Sequence, residues 1–371
     1  MAAGGRVADL IRTRRLYTGE PHSDLKGRTV FDNAVPIPAA HTSDQALLES
    51  KVFRIFGDYG EWLAHPVGIA RVRLGVDGGL TAWIDSHAEL HPIRRELGDR
   101  KPGKIFHFSQ TLVPMLLPHA HPGDELTGIP RLRVTSVRGA DLTVSLIGTN
   151  TQVTLRGAPG TRWKNDIEQF RIENATTGLV PIWTAPELTS EEREFEEEFV
   201  GVTASTRDLS WIGSGLFRRV AVLQTSSNAY RTRYWSNPDH RTGGEWIFEL
   251  CTRRDVPVDH NGLLARLLDP VWGLPVRVDH QLCMCEVDAL WDRECNYDLV
   301  HTGGQRGVLK LRFAHLLRYY DGHDRRDFAA LGSDEAWLDR VLPEPPGNDV
   351  FDNDELRARR RRYFQVALQA D

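Results

Sequence analysis

Two runs of short segments rich in Val, Ile and Thr, separated by one acidic stretch, constrain this chain more than any other feature. The first run comprises IARVRLGV, GLTAWIDSH, KIFHFSQTLVPM, RLRVTSV, DLTVSLIGT and TQVTLRG. The second comprises RRVAVLQTSS, YRTRYW, EWIFELCTR, VRVDHQLCMCEVDAL, NYDLVHTGG and GVLKLRFAHLLRYY. Frequent alternation and Gly- or Asp-containing breaks read as antiparallel strands. Between the runs, PELTSEEREFEEEFVGVTAST offers Thr189 or Ser190 as N-cap and places glutamates in the first turn, where the helix dipole favours them. The expected fold is therefore α+β, mostly antiparallel β-sheet, in two similar halves. Residues 1–186 form the first half and 187–205 an acidic helical joint. Residues 206–330 form the second half and 331–371 a helical tail. Leu47, Leu48, Val52, Ile55, Phe56 and Leu63 fall near helical spacing and predict a helix over 44–63.

A chain of 371 residues exceeds the usual reach of one hydrophobic core, which agrees with a double architecture. Its formal net charge of −5, with 26% charged and 40% hydrophobic residues, calls for neither nucleic acid nor an anionic membrane as partner. No segment approaches about 18 uninterrupted apolar residues, and MAAGGRVADLIRTRRLY lacks a signal-type apolar core, so a cytoplasmic protein is expected. Cys251, Cys283, Cys285 and Cys295 have no two-residue gap of the zinc-knuckle or redox kind and read as mostly reduced core residues. Cys283 and Cys285 share a strand face, which leaves His280 off it and gives no ready ligand set.

The segment LLPHAHPGDELTG sets His119, His121 and Glu125 at H-x-H-x-x-x-E spacing. On a strand the two imidazoles point to one side, and the glutamate returns from the following turn. This spacing resembles the first motif of cupins and implies an oxygenase or isomerase whose cofactor is a divalent transition metal.

The same residues carry a second resemblance. His121-Pro122-Gly123-Asp124-Glu125-Leu126, followed by the long hairpin RLRVTSVRGADLTVSLIGTNTQVTLRG, is similar to the P-G-D-x-L lead-in of hot-dog folds of the hydratase and dehydratase (MaoC-like) type. Upstream, FGDYGEWLAHPVGIA resembles their G-D-x-N-P-x-H signature through Gly57-Asp58 and His65-Pro66. The resemblance covers residues 30–157 and implies a double hot-dog, with a double barrel as the alternative arrangement of the halves. It implies a lyase that dehydrates, hydrates or cyclises a hydrophobic acyl or polyketide-like small molecule, carrier-bound or free, as in secondary metabolite biosynthesis. Asp58 and His65 would be acid and base, with His119 and His121 near the mouth. No cofactor is then needed, and a homodimer is compatible with the reading. A third expectation is a non-catalytic small-molecule-binding barrel whose lumen Tyr230, Tyr234 and Trp246 would line.

Three Asp-His pairs stand twenty residues apart, at Asp239-His240, Asp259-His260 and Asp279-His280. Their contexts are a turn, a helix start that Asp259 or Asn261 can cap, and a strand, so the spacing reads as an accident. His280 is expected to face the interior when Asp279 faces solvent. SWIGSGL and HTGGQRG lack the features of nucleotide-binding loops.

Overall fold

The helix expected over 44–63 is present at Ser43–Tyr59 and is the third of the chain, α3, after α1 (Ala2–Thr18) and α2 (His22–Leu25). The structure, a computed structural model, describes residues 2–25, 37–59, 67–75, 78–84, 88–90, 105–121, 125–225, 229, 231–239, 243–253, 259–284, 293–316, 329 and 333–341. Leu48, Val52, Phe53 and Phe56 of α3 are fully buried, as their i, i+4 spacing requires of a helix with one apolar stripe.

After α3 the chain forms a hairpin of β1 (Ile69–Leu74) and β2 (Leu80–Ile84), then a small ladder of β3 (Ala88–Leu90) and β4 (Ile105–His107). Helix α4 (Phe108–Leu116) follows, then a meander of β5 (Leu132–Arg138), β6 (Asp141–Leu146) and β7 (Val153–Arg156). Helices α5 (Trp163–Glu173) and α6 (Ser190–Glu198) lead to α7 (Val200–Phe217) and α8 (Val220–Thr225). The sequence of elements then recurs: a hairpin of β8 (Arg231–Asn237) and β9 (Glu245–Arg253), helix α9 (His260–Leu267), and a meander of β10 (Val276–Leu282), β11 (Arg293–His301) and β12 (Val308–Leu316). Helix α10 (Glu335–Val341) lies in the expected tail.

The two sheets have one plan. Their strand orders are β1-β2-β7-β6-β5 and β8-β9-β12-β11-β10. In each, the last strand of the meander lies parallel to the second strand of the hairpin, β7 on β2 and β12 on β9. The other pairings within these sheets are antiparallel. Even a register shift is shared, at Val134/Ser136 of β5 and Val278/His280 of β10. The two similar halves are thus present, but the sheets are mixed rather than mostly antiparallel. The cause is the helix between hairpin and meander, which starts the meander at the far edge so that its last strand closes in parallel beside the second. Neither sheet closes into a barrel, because β1 and β5 end one order and β8 and β10 the other.

Helices α3 and α7 pack against each other in the middle of one continuous core that draws on both sheets. Phe53 stacks on Phe217 at 5.2 Å and on Tyr234 at 4.5 Å, and Tyr234 stacks on Phe248 at 5.0 Å. Tyr234 and Trp246 are therefore core residues of the helix–sheet contact rather than a barrel lining, and Tyr230 lies outside the described residues. Close approach of the helices depends on Gly213, where a Cβ would stand 2.3 Å from Ser50 Oγ and 2.6 Å from Trp246 Cζ2.

A buried ion pair ties the same helices. Arg218 Nε and Nη2 donate to Glu49 Oε2 and Oε1 at 2.7 and 2.6 Å, with Ser214 Oγ and Gln45 Nε2 donating to the same carboxylate. The acidic joint begins as expected, with a capping box between Thr189 and Glu192. Glu192 is also fully buried and takes a bidentate pair of bonds from Arg133 on β5, which fastens the joint to the first sheet. Two strand expectations fail: FSQTLVPML is α4 and VAVLQT is α8. Both are short apolar runs whose burial is compatible with either conformation, so periodicity does not separate them.

Candidate functional site

Asp58 stands in the last turn of α3, and His65 lies outside the described residues. The turn before Asp58 is pinned to the second half, because a Cβ on Gly57 would meet Tyr234 O at 2.4 Å. The C-terminal end of α3 is thus held at the seam between its own half and strand β8.

His119 and His121 come together, their rings 5.9 Å apart and edge to face. His119 is buried, pairs through its backbone with Thr127, and sets Nδ1 2.8 Å from Leu117 O. Its ring also meets Phe170 edge to face at 5.0 Å, and burial lowers its pKa below the usual histidine value. His121 is less enclosed, with Nδ1 3.1 Å from Thr177 Oγ1. Glu125 is exposed and does not join them in a ligand cluster. Among the described residues, one trio of His, Cys, Asp or Glu gathers its ligand atoms within 4.8 Å, and it is His260, Cys283 and Cys295.

At the opposite end of α3 lies a cleft of about 980 Å³. Its floor includes residues 41–43 and 46 at the start of α3, and its walls come from α7 and from the turns around 268–276 and 301–306. Ala39, Ala40, Val271 and Leu274 supply apolar lining, while Trp211, His301 and Arg219 bring polar atoms. His301 meets Trp211 edge to face at 4.8 Å. The Gly303 amide donates to its Nδ1 at 2.9 Å, which places the proton of the neutral ring on Nε2. Burial lowers the pKa of His301 and favours that neutral form.

Arg219 is the unusual group. It is 5% exposed and donates to three carbonyls, Trp272 O at 2.7 Å, Ile37 O at 3.1 Å and Gly215 O at 3.2 Å. Burial first, then the neighbouring Arg218 charge, pushes its pKa down to about 10, so the guanidinium stays charged near neutrality. Among the described residues no carboxylate pairs with it, unlike Arg218, Arg133 and Arg14, which hold Glu49, Glu192 and Glu20. Arg207 and Arg306 at the rim are already bound to Asp44 at 2.8 Å and Asp208 at 3.0 Å.

Sequence reading missed this cleft. Its residues come from four separated stretches, and HTGGQRG, which lacks the features of a nucleotide-binding loop, supplies one wall as the turn after β11. His280, expected to face inward, is exposed, because the register shift at Val278/His280 breaks the alternation on which that expectation rests. Asp259 caps α9 by accepting from Gly262 N at 2.7 Å, as anticipated. Comparison of the chain with family models, with curated proteins and with solved structures gives no match.

Proposed function

We propose that this chain is an enzyme of hydratase or dehydratase type, built on two hot-dog-like halves and acting by general acid–base chemistry on a hydrophobic acyl or polyketide-like thioester. The observation that carries the reading is the duplicated unit: one long helix per half, a five-stranded sheet of identical strand order, and the two helices packed on each other. That arrangement supports the hot-dog resemblance of the G-D and P-G-D segments, which makes Asp58 and His65 the acid and base. In dehydration one of the two takes the proton from Cα and the other protonates the hydroxyl on the adjacent Cβ, which departs as water as the double bond forms; hydration is the reverse, each group contributing about two to four powers of ten in rate.

The test is turnover of a panel of 3-hydroxyacyl and 2-enoyl thioesters by the wild type, Asp58→Asn and His65→Ala. Hydration or dehydration by the wild type, with kcat down at least ~100-fold in each variant, is the expected result. No turnover across the panel, or variants as active as the wild type, would remove the assignment.

The cleft favours a second reading, a binding site for a small molecule bearing an anionic group. Its basis is the buried Arg219 charge at an open cavity without a carboxylate partner among the described residues. From Ser43 to Asp58 a helix rises about 22 Å, so the cleft and the proposed catalytic pair are separate places. Calorimetry with inorganic phosphate and short carboxylates should show binding that Arg219→Gln weakens at least ~10-fold. Absence of binding to the wild type would end this reading without touching the first.

A further inference from the structure

We propose that His260, Cys283 and Cys295 form a zinc site that staples the base of the β10–β11 connection to helix α9. The register of β10 on β11 pairs Leu282 with Asn296, so the next residue on each side, Cys283 and Cys295, arrive opposite each other. Their sulfurs are 3.6 Å apart, with no disulfide between them. Two thiolates at about 2.3 Å from one tetrahedral zinc are separated by about 3.8 Å, whereas a disulfide requires about 2.05 Å. The third ligand comes from α9. Asp259 caps this helix and so fixes its first residue, His260, whose ring lies edge to face on Phe313 at 4.6 Å, one strand over from Cys295. The ligand atoms of all three residues lie within 4.8 Å of one another.

The surroundings suit a soft, borderline metal. The Met284 amide donates to Cys295 Sγ at 3.2 Å, the kind of outer bond that stabilises a metal-bound thiolate. Cys295 is fully buried and His260 nearly so, against the rings of Phe313 and Tyr297, while exposed Cys283 gives the ion a way in. Two thiolates and one imidazole select zinc over hard cations such as calcium or magnesium. The proposed site falls where the two halves differ in chain length. The meander of the first half turns from β5 to β6 within residues 139–140, whereas β10 and β11 are joined through residues 283–292.

The experiment uses the full chain, reduced, freed of metal and titrated anaerobically with Co²⁺ and then Zn²⁺. The wild type should bind about one equivalent of cobalt, with a thiolate-to-cobalt charge-transfer band and intense tetrahedral visible bands that zinc abolishes. Cys283→Ser, at an exposed position and verified as folded by circular dichroism, should bind at least ~10-fold more weakly, and His260→Gln likewise. Missing cobalt bands in the reduced wild type, or bands and affinity in both variants unchanged from the wild type, would overturn the site.

Discussion

At the scale of single residues, burial sets the chemistry of the histidines. His119 is enclosed by Phe170 and its own turn, and burial lowers its pKa below 6.5. Above 6.5 the folded and unfolded chains are both neutral at this group. As pH falls through 6.5 the unfolded chain takes the proton first, so stability is lost on acidification. Chemical denaturation between pH 7.5 and 5 should show that loss, and His119→Asn should flatten it; an unchanged pH slope in the variant would contradict the burial account. The trio of His260, Cys283 and Cys295 illustrates what was legible at this scale. His260 and the cysteines were each visible in the sequence, and Asp259 was legible as a cap. What stayed hidden was the register that sets Cys283 against Cys295 and the helix start that carries His260 over Phe313, both tertiary facts.

At the scale of elements, the contact between α3 and α7 organises both halves. α3 was readable because its apolar residues from Leu47 to Phe56 repeat at helical spacing; residues 60–63 of the expected helix lie outside the described residues. The core half of α7 was not, since SWIGSGL looks like a loop when its glycines and serines are judged by propensity alone. Their small size is the point: Gly213 admits Ser50 and Trp246, and Ser214 reaches Glu49. Gly213→Val should therefore destabilise the protein by at least about 2 kcal/mol through overpacking, measured by urea unfolding. A loss below about 0.5 kcal/mol would show that the helices separate without penalty. The strands of the meanders were legible for the opposite reason, alternation with one face inward, as in the burial of Val153 and Leu155 on β7. Direction was not legible, because alternation is the same in parallel and antiparallel pairings, and so the mixed character of both sheets went unread.

At the scale of the whole molecule, duplication and a shared core are the principal facts. Buried residues from α3, α7 and both sheets form one cluster, so the halves should unfold together, with circular dichroism and tryptophan fluorescence reporting one superimposable transition. Glu49→Gln leaves the buried Arg218 charge unpaired and should cost about 3–5 kcal/mol across that single transition. Two resolved transitions in the wild type would contradict the shared core. Among the described residues no helix is long and apolar enough to cross a membrane. The proposed function puts acid–base chemistry at the C-terminal end of α3, one residue beyond the close approach of Gly57 to Tyr234 of β8, and proposes a separate anion-binding cleft at the other end. Hydrogen exchange with a non-reactive thioester analogue tests that placement directly. Protection on binding is expected at the C-terminal turn of α3 and the start of β1. Protection confined to residues 41–46 and 301–306, with none near Asp58, would contradict it.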